Sequence, residues 1–134
     1  MACSECGASP VSISLPDEYR GYAPSDAAVV LFCPHCLRLE PAAEREVSPD
    51  ATPEFSRVSD AFPTRPERAI PLALALGLCS SLATNRTAIE LLLREVESAG
   101  ADPLLVLDRL VADPSVEPAI DLERRRHQLE QLLY

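Results

Sequence analysis

Val11, Ile13 and Leu15 alternate with Ser12 and Ser14, the period-2 pattern of a strand with one face buried. Ala28-Val29-Val30-Leu31-Phe32 is an unbroken apolar run and reads as a second strand. Leu37-Arg38-Leu39 reads as a third, and Gly21, Pro24, Ser25 and Asp26 mark the loop between the first two. From residue 67 onward the period changes. Ile70 to about Ala83 is rich in Leu and Ala and reads as a helix apolar on two sides, which places it at the centre of a bundle. Leu72, Leu76 and Cys79 form one ridge of it; Leu74, Leu78 and Leu82 form another. A second helix spans Asn85 to Ala99, with Ile89, Leu92, Leu93 and Val96 inside, Glu90 and Arg94 paired outside, and Gly100 as its stop. Asp102-Pro103 opens a third helix carrying Leu104, Leu107, Leu110 and Val111, which Asp113-Pro114 ends; Asp121 caps a fourth.

Between the strands and the helices, residues 41–66 contain five prolines. This connector has an anchor of its own. Thr52-Pro53-Glu54 has the chemistry of a helix start, and Phe55, Val58 and Phe62 follow at i, i+3 and i+7. The stripe holds two of the three Phe in the chain, so it is expected to form a short docking helix joining the two halves. The predicted architecture is α+β: a ribbon of two to three short antiparallel strands at 1–42, the connector at 43–66, and a small all-α bundle at 67–134.

The cysteines change the picture most. Cys3-Ser4-Glu5-Cys6 and Cys33-Pro34-His35-Cys36 are two C-x2-C pairs separated by 26 residues. Two such turns complete a tetrahedron of thiolates around one metal, with Zn–S bonds of about 2.3 Å. The second pair flows directly out of the second strand. Cys3, Cys6, Cys33 and Cys36 are therefore the expected ligands of one structural zinc, in a zinc ribbon. Gly7 suits the backbone of the first turn; the second has Leu37 at the matching place and Pro34 to stiffen it. A single iron in the same four thiolates and a redox dithiol are the alternatives. Neither is favoured: the ribbon offers only Tyr19, Tyr22 and Phe32 as aromatic packing for an iron site, and no βα unit follows either pair. His35 reads as a solvated turn residue and Cys79 as a small core residue.

A closed four-thiolate site has no open position with which to activate water. No H-E-x-x-H, G-x-S-x-G, Walker A or G-x-G-x-x-G pattern occurs, so the chain reads as non-catalytic. The formal net charge is −9, and every one of the 12 basic residues is Arg. An acidic surface without Lys suits a salt-loaded cytoplasm, as in halophilic archaea; a GC-rich genome gives the same Arg bias. The charge disfavours nucleic-acid binding, though at about 1 M salt, with a Debye length of about 3 Å, the repulsion is weak. Arg124-Arg125-Arg126-His127 fans around its helix beside Asp121, Glu123 and Glu130 and reads as a salt-bridged face. The N-terminus has no signal-peptide pattern. The apolar stretch Ala69 to Cys79 is shorter than the roughly 20 residues of a membrane span. A cytoplasmic protein follows from these readings.

The chain resembles uncharacterised small haloarchaeal proteins with a CPxCG-type zinc finger. The likeness lies in Cys3-Ser4-Glu5-Cys6-Gly7, Cys33-Pro34-His35-Cys36, the segment from Phe55 to Phe62, and the tail from Asp121 to His127. It implies a zinc site, the ribbon fold and a haloarchaeal source, and no site beyond the four Cys. Two functions fit: an adaptor that binds another protein, and a nucleic-acid-associated factor in transcription or translation.

Overall fold

The computed structural model describes Cys3, residues 6–42 and residues 54–133. Strands β1 (Val11–Ser14), β2 (Val29–Phe32) and β3 (Leu39–Pro41) form one antiparallel sheet in the order β1-β2-β3. Val11 pairs with Phe32 and Ile13 with Val30, while Phe32 pairs with Leu39 on the other side. Alternation therefore puts Val11, Ile13, Val30 and Phe32 on one face, each at most 1% exposed. The third strand begins at Leu39, two residues later than the sequence pattern placed it. Leu37 has φ +62°, which strand geometry excludes. The β1–β2 connection is built from two 3-10 turns, Asp17–Tyr22 and Pro24–Asp26.

Helices α1 (Pro66–Leu78), α2 (Leu82–Ser98), α3 (Pro103–Ala112) and α4 (Leu122–Leu133) follow. In α1 every residue from Ala69 to Leu76 is buried, as a helix apolar on both sides must be. The first two helices meet earlier than expected, at a 3-10 turn over Cys79–Ser81. Asn85, the expected helix start, lies inside α2 at a kink (φ −106°) and its amide donates to the Leu78 carbonyl at 3.2 Å. Asp102 accepts from the Leu104 and Leu105 amides, Asp121 from the Arg124 amide, and Gly100 (φ +99°) ends the turn after α2. The continuous stretch Pro66–Ser98 has the length and composition of a membrane-crossing helix. Its apolar half is α1, however, a 13-residue helix only about 20 Å long and packed as core.

The connector docks as expected but not as an α-helix. Among the described connector residues ahead of α1, Phe55–Arg57 forms a single 3-10 turn. Thr52 and Pro53 lie outside the described residues. Phe55, Val58 and Phe62 are nevertheless at most 2% exposed. Phe62 stacks between Phe32 of the sheet, 5.6 Å away, and Phe55, 6.1 Å away. One hydrophobic core runs from Val11 on β1 through these rings and α1 to Leu133 on α4.

Candidate metal centre

The two cysteine turns have the same backbone wiring. Cys3 N–H donates to the Ala8 carbonyl at 2.8 Å, and Gly7 N–H to the Cys3 carbonyl at 3.0 Å. Thirty residues on, Cys33 N–H donates to the Arg38 carbonyl at 2.9 Å and Leu37 N–H to the Cys33 carbonyl at 3.0 Å. Closing this loop requires a left-handed residue four places after the first Cys. Gly7 takes it at φ +78° and Leu37 at φ +62°. A Leu in that region is strained by about 1 kcal/mol or more, but its side chain is 5% exposed and joins the main core. Burial of a Leu returns about 1.5–3 kcal/mol, which explains how a glycine position tolerates a Leu.

All four predicted ligands come together: the Sγ atoms of Cys3, Cys6, Cys33 and Cys36 lie within 4.8 Å of one another. Cys3 Sγ is 3.6 Å from Cys36 Sγ, and Cys6 Sγ is 3.4 Å from Cys33 Sγ. A tetrahedron with metal–sulfur bonds of about 2.3 Å has edges of about 3.8 Å, so the four sulfurs fit one ion. They could hold it as four thiolates. Cys3, Cys33 and Cys36 are buried, and Cys6 is exposed at the rim. Burial pushes the Cys33 and Cys36 thiols up, against the lowering effect of backbone hydrogen bonds. A buried sulfur cluster of this kind needs a cation to be ionised. The Cys36 amide points at Cys33 Sγ across 3.5 Å, a weak N–H···S contact that softens thiolate charge.

Sequence reasoning missed what surrounds the second turn. His35 is a docking residue as well as a solvated one, its side chain 38% exposed. Its Nδ1 donates to the Ser115 carbonyl at 3.0 Å, and Nε2 lies 3.5 Å from a Glu117 carboxylate oxygen. The backbone joins in. Glu117 N–H donates to the His35 carbonyl at 2.7 Å and Ala119 N–H to the Cys36 carbonyl at 2.9 Å. The α3–α4 loop is thus pinned to the second cysteine turn by two main-chain hydrogen bonds. Asp113 shapes that loop by accepting from the Ser115 amide and hydroxyl and from Ser59 Oγ at 2.6 Å, and these bonds hold its carboxyl below the usual range. Arg57 fastens the first turn, donating to the Ser9 carbonyl at 2.6 Å. The only sequence signals for these clamps were isolated polar residues in Pro-rich segments.

Cys79 stands apart. It is fully buried beneath the α1–α2 turn, and burial raises its thiol to about 12. Of the basic cluster, Arg126 pairs with Asp108 at 2.7 Å and Glu130 at 2.6 Å and Arg125 donates to Gln128; on α2, Arg94 pairs with Glu90 at 3.7 Å.

An antiparallel sheet carrying a four-cysteine cluster that could hold a metal ion, followed by four helices, defines an α+β class. Within it, the chain belongs to a family of unknown function, DUF6276, whose profile matches residues 2–133. No curated protein and no solved structure matches the chain.

Proposed function

We propose that this is a cytoplasmic, non-catalytic zinc protein that acts as an adaptor or regulator by binding another protein. The observation that carries the reading is the sulfur set itself. Four thiolates saturate a tetrahedral ion and leave no position for substrate or water. Zinc is the ion of choice because an all-sulfur tetrahedron suits it and the site needs no redox change. The clamps from Arg57 and from the 115–119 loop support a structural role, since both halves of the molecule hang on the turns. Function then falls to the surface. The Lys-free acidic composition and the CPxCG-like turns support a haloarchaeal source.

The nucleic-acid reading is the weaker one. Arg20, the one cation between the cysteine pairs, is ion-paired to Asp17 at 3.1 Å. Affinity purification of the full chain, with and without nuclease, tests the choice. The adaptor reading expects a protein partner recovered in near-stoichiometric amount and unaffected by nuclease. Recovery of nucleic acid that is lost in the Arg20→Ala/Arg38→Ala variant contradicts it.

A further inference from the structure

A groove of about 320 Å³ runs between the first turns of α2 and the face of α4. Leu82 and Leu132 give it apolar walls, Gln128 and Gln131 line it with amides, and Arg86 and Arg125 bring two guanidiniums to it. The chain carries 21 Asp and Glu, yet none lines this groove among the described residues. The contrast with other arginines is instructive. Arg20, Arg94 and Arg126 each have carboxylate partners. Among the described residues neither Arg86 nor Arg125 has one; Arg125, half-buried, donates only to the neutral Gln128 amide at 2.9 Å.

A half-buried cation facing a neutral partner has given up hydration without gaining a counter-charge. An incoming carboxylate supplies that counter-charge and meets a guanidinium fork able to grip both of its oxygens. The glutamines each offer a donor and an acceptor, the pair that a peptide main chain presents. The leucine walls take an apolar side chain on either side of the acid. We infer that this groove docks an extended acidic segment of a partner polypeptide, with Glu or Asp flanked by aliphatic residues. The inference rests on the adaptor reading and names the partner's chemistry.

Titration of the full-length, metal-loaded, ¹⁵N-labelled chain with a blocked Gly-Leu-Glu-Leu-Glu-Leu-Gly peptide tests it, with the Gln twin and inorganic phosphate as further arms. The acidic peptide is expected to move the amide signals of residues 82–86 and 125–132. The Gln twin, and the Arg86→Gln/Arg125→Gln variant, should bind at least fivefold more weakly. Absence of shifts in the groove, or a loss smaller than fivefold in either comparison, overturns the proposal. Phosphate that moves the same signals as strongly as the peptide does so too, because it assigns the groove to a simple anion. Unchanged signals elsewhere report that the variant is folded; if they change, Gln128→Ala/Gln131→Ala takes its place under the same threshold. The adaptor reading fails separately, on purification without any protein partner. A partner recovered equally by the wild-type and groove-variant chains sinks the groove alone.

Discussion

Phe62→Ala probes the joint between sheet and helices. The ring is 2% exposed and touches Phe32 of the sheet and Phe55 of the connector, at centroid distances of 5.6 and 6.1 Å. Truncating a fully buried Phe costs about 3–5 kcal/mol through lost transfer energy and the cavity left behind. Against a typical domain stability of about 5–15 kcal/mol, that is roughly a fifth or more of the total. Because the core is continuous from Val11 to Leu133, the loss should fall on both halves at once. Urea unfolding with two probes reads this: far-UV circular dichroism for the helices, and metal capture by a colorimetric chelator for the cysteine turns. Both midpoints should drop together. The exposed Leu105, at 46%, is the control; Leu105→Ala should shift them by no more than about 0.5 kcal/mol. A loss below about 1 kcal/mol for Phe62→Ala, or metal release at an unchanged midpoint while the helices melt early, refutes the reasoning.

Three further expectations follow from local geometry. A Cβ on Gly77 of α1 meets Leu39 Cδ2 at 2.7 Å and Cβ at 2.8 Å, so Gly77→Ala must push β3 off α1. It should cost about 1–3 kcal/mol in the same urea assay, and a neutral result contradicts the close approach. Asp102→Ala removes the acceptor for two amides at the start of α3 and should cost about 0.5–2 kcal/mol, with Asp102→Asn recovering most of it. Burial, and then a hydrogen bond to the Glu95 carboxylate, raise the Tyr19 hydroxyl to about 12. The folded chain keeps that proton where an unfolded one, ionising near 10, has lost it. This contribution to stability is therefore full below about pH 10 and is lost as pH rises toward 12. Ultraviolet titration should show Tyr19 ionising late and Glu95→Gln moving it down; a Tyr19 that ionises near its ordinary value of 10 removes the contact.

Periodicity carried the fold because burial enforces it. The β1 alternation and the unbroken α1 run each tell which side must avoid water, and both were legible. The Asp102 and Asp121 caps were legible too, since Asp before a helix has few other uses. The cysteine spacing singled out the four residues whose sulfurs the fold gathers within 4.8 Å of one another. What escaped had no period. The connector stripe fits a helix by spacing, but the same three apolar residues can be buried from a single 3-10 turn. Leu37 looked like a strand residue because its left-handed backbone is set by the cysteine loop, not by its side chain. His35 looked idle because its partners, Ser115 and Glu117, are 80 or more positions away. The start of α2 was misplaced because Asn85, a good cap by composition, instead donates across the turn to Leu78.

The central claim is that Cys3, Cys6, Cys33 and Cys36 hold one structural zinc. Metal analysis of the chain, purified without added metal or chelator, tests it most directly when paired with Cys33→Ser. The account predicts one zinc per wild-type chain and a variant that neither retains the metal nor folds. Iron in place of zinc, clearly less than one zinc per chain, or a folded Cys33→Ser variant with its metal intact contradicts it.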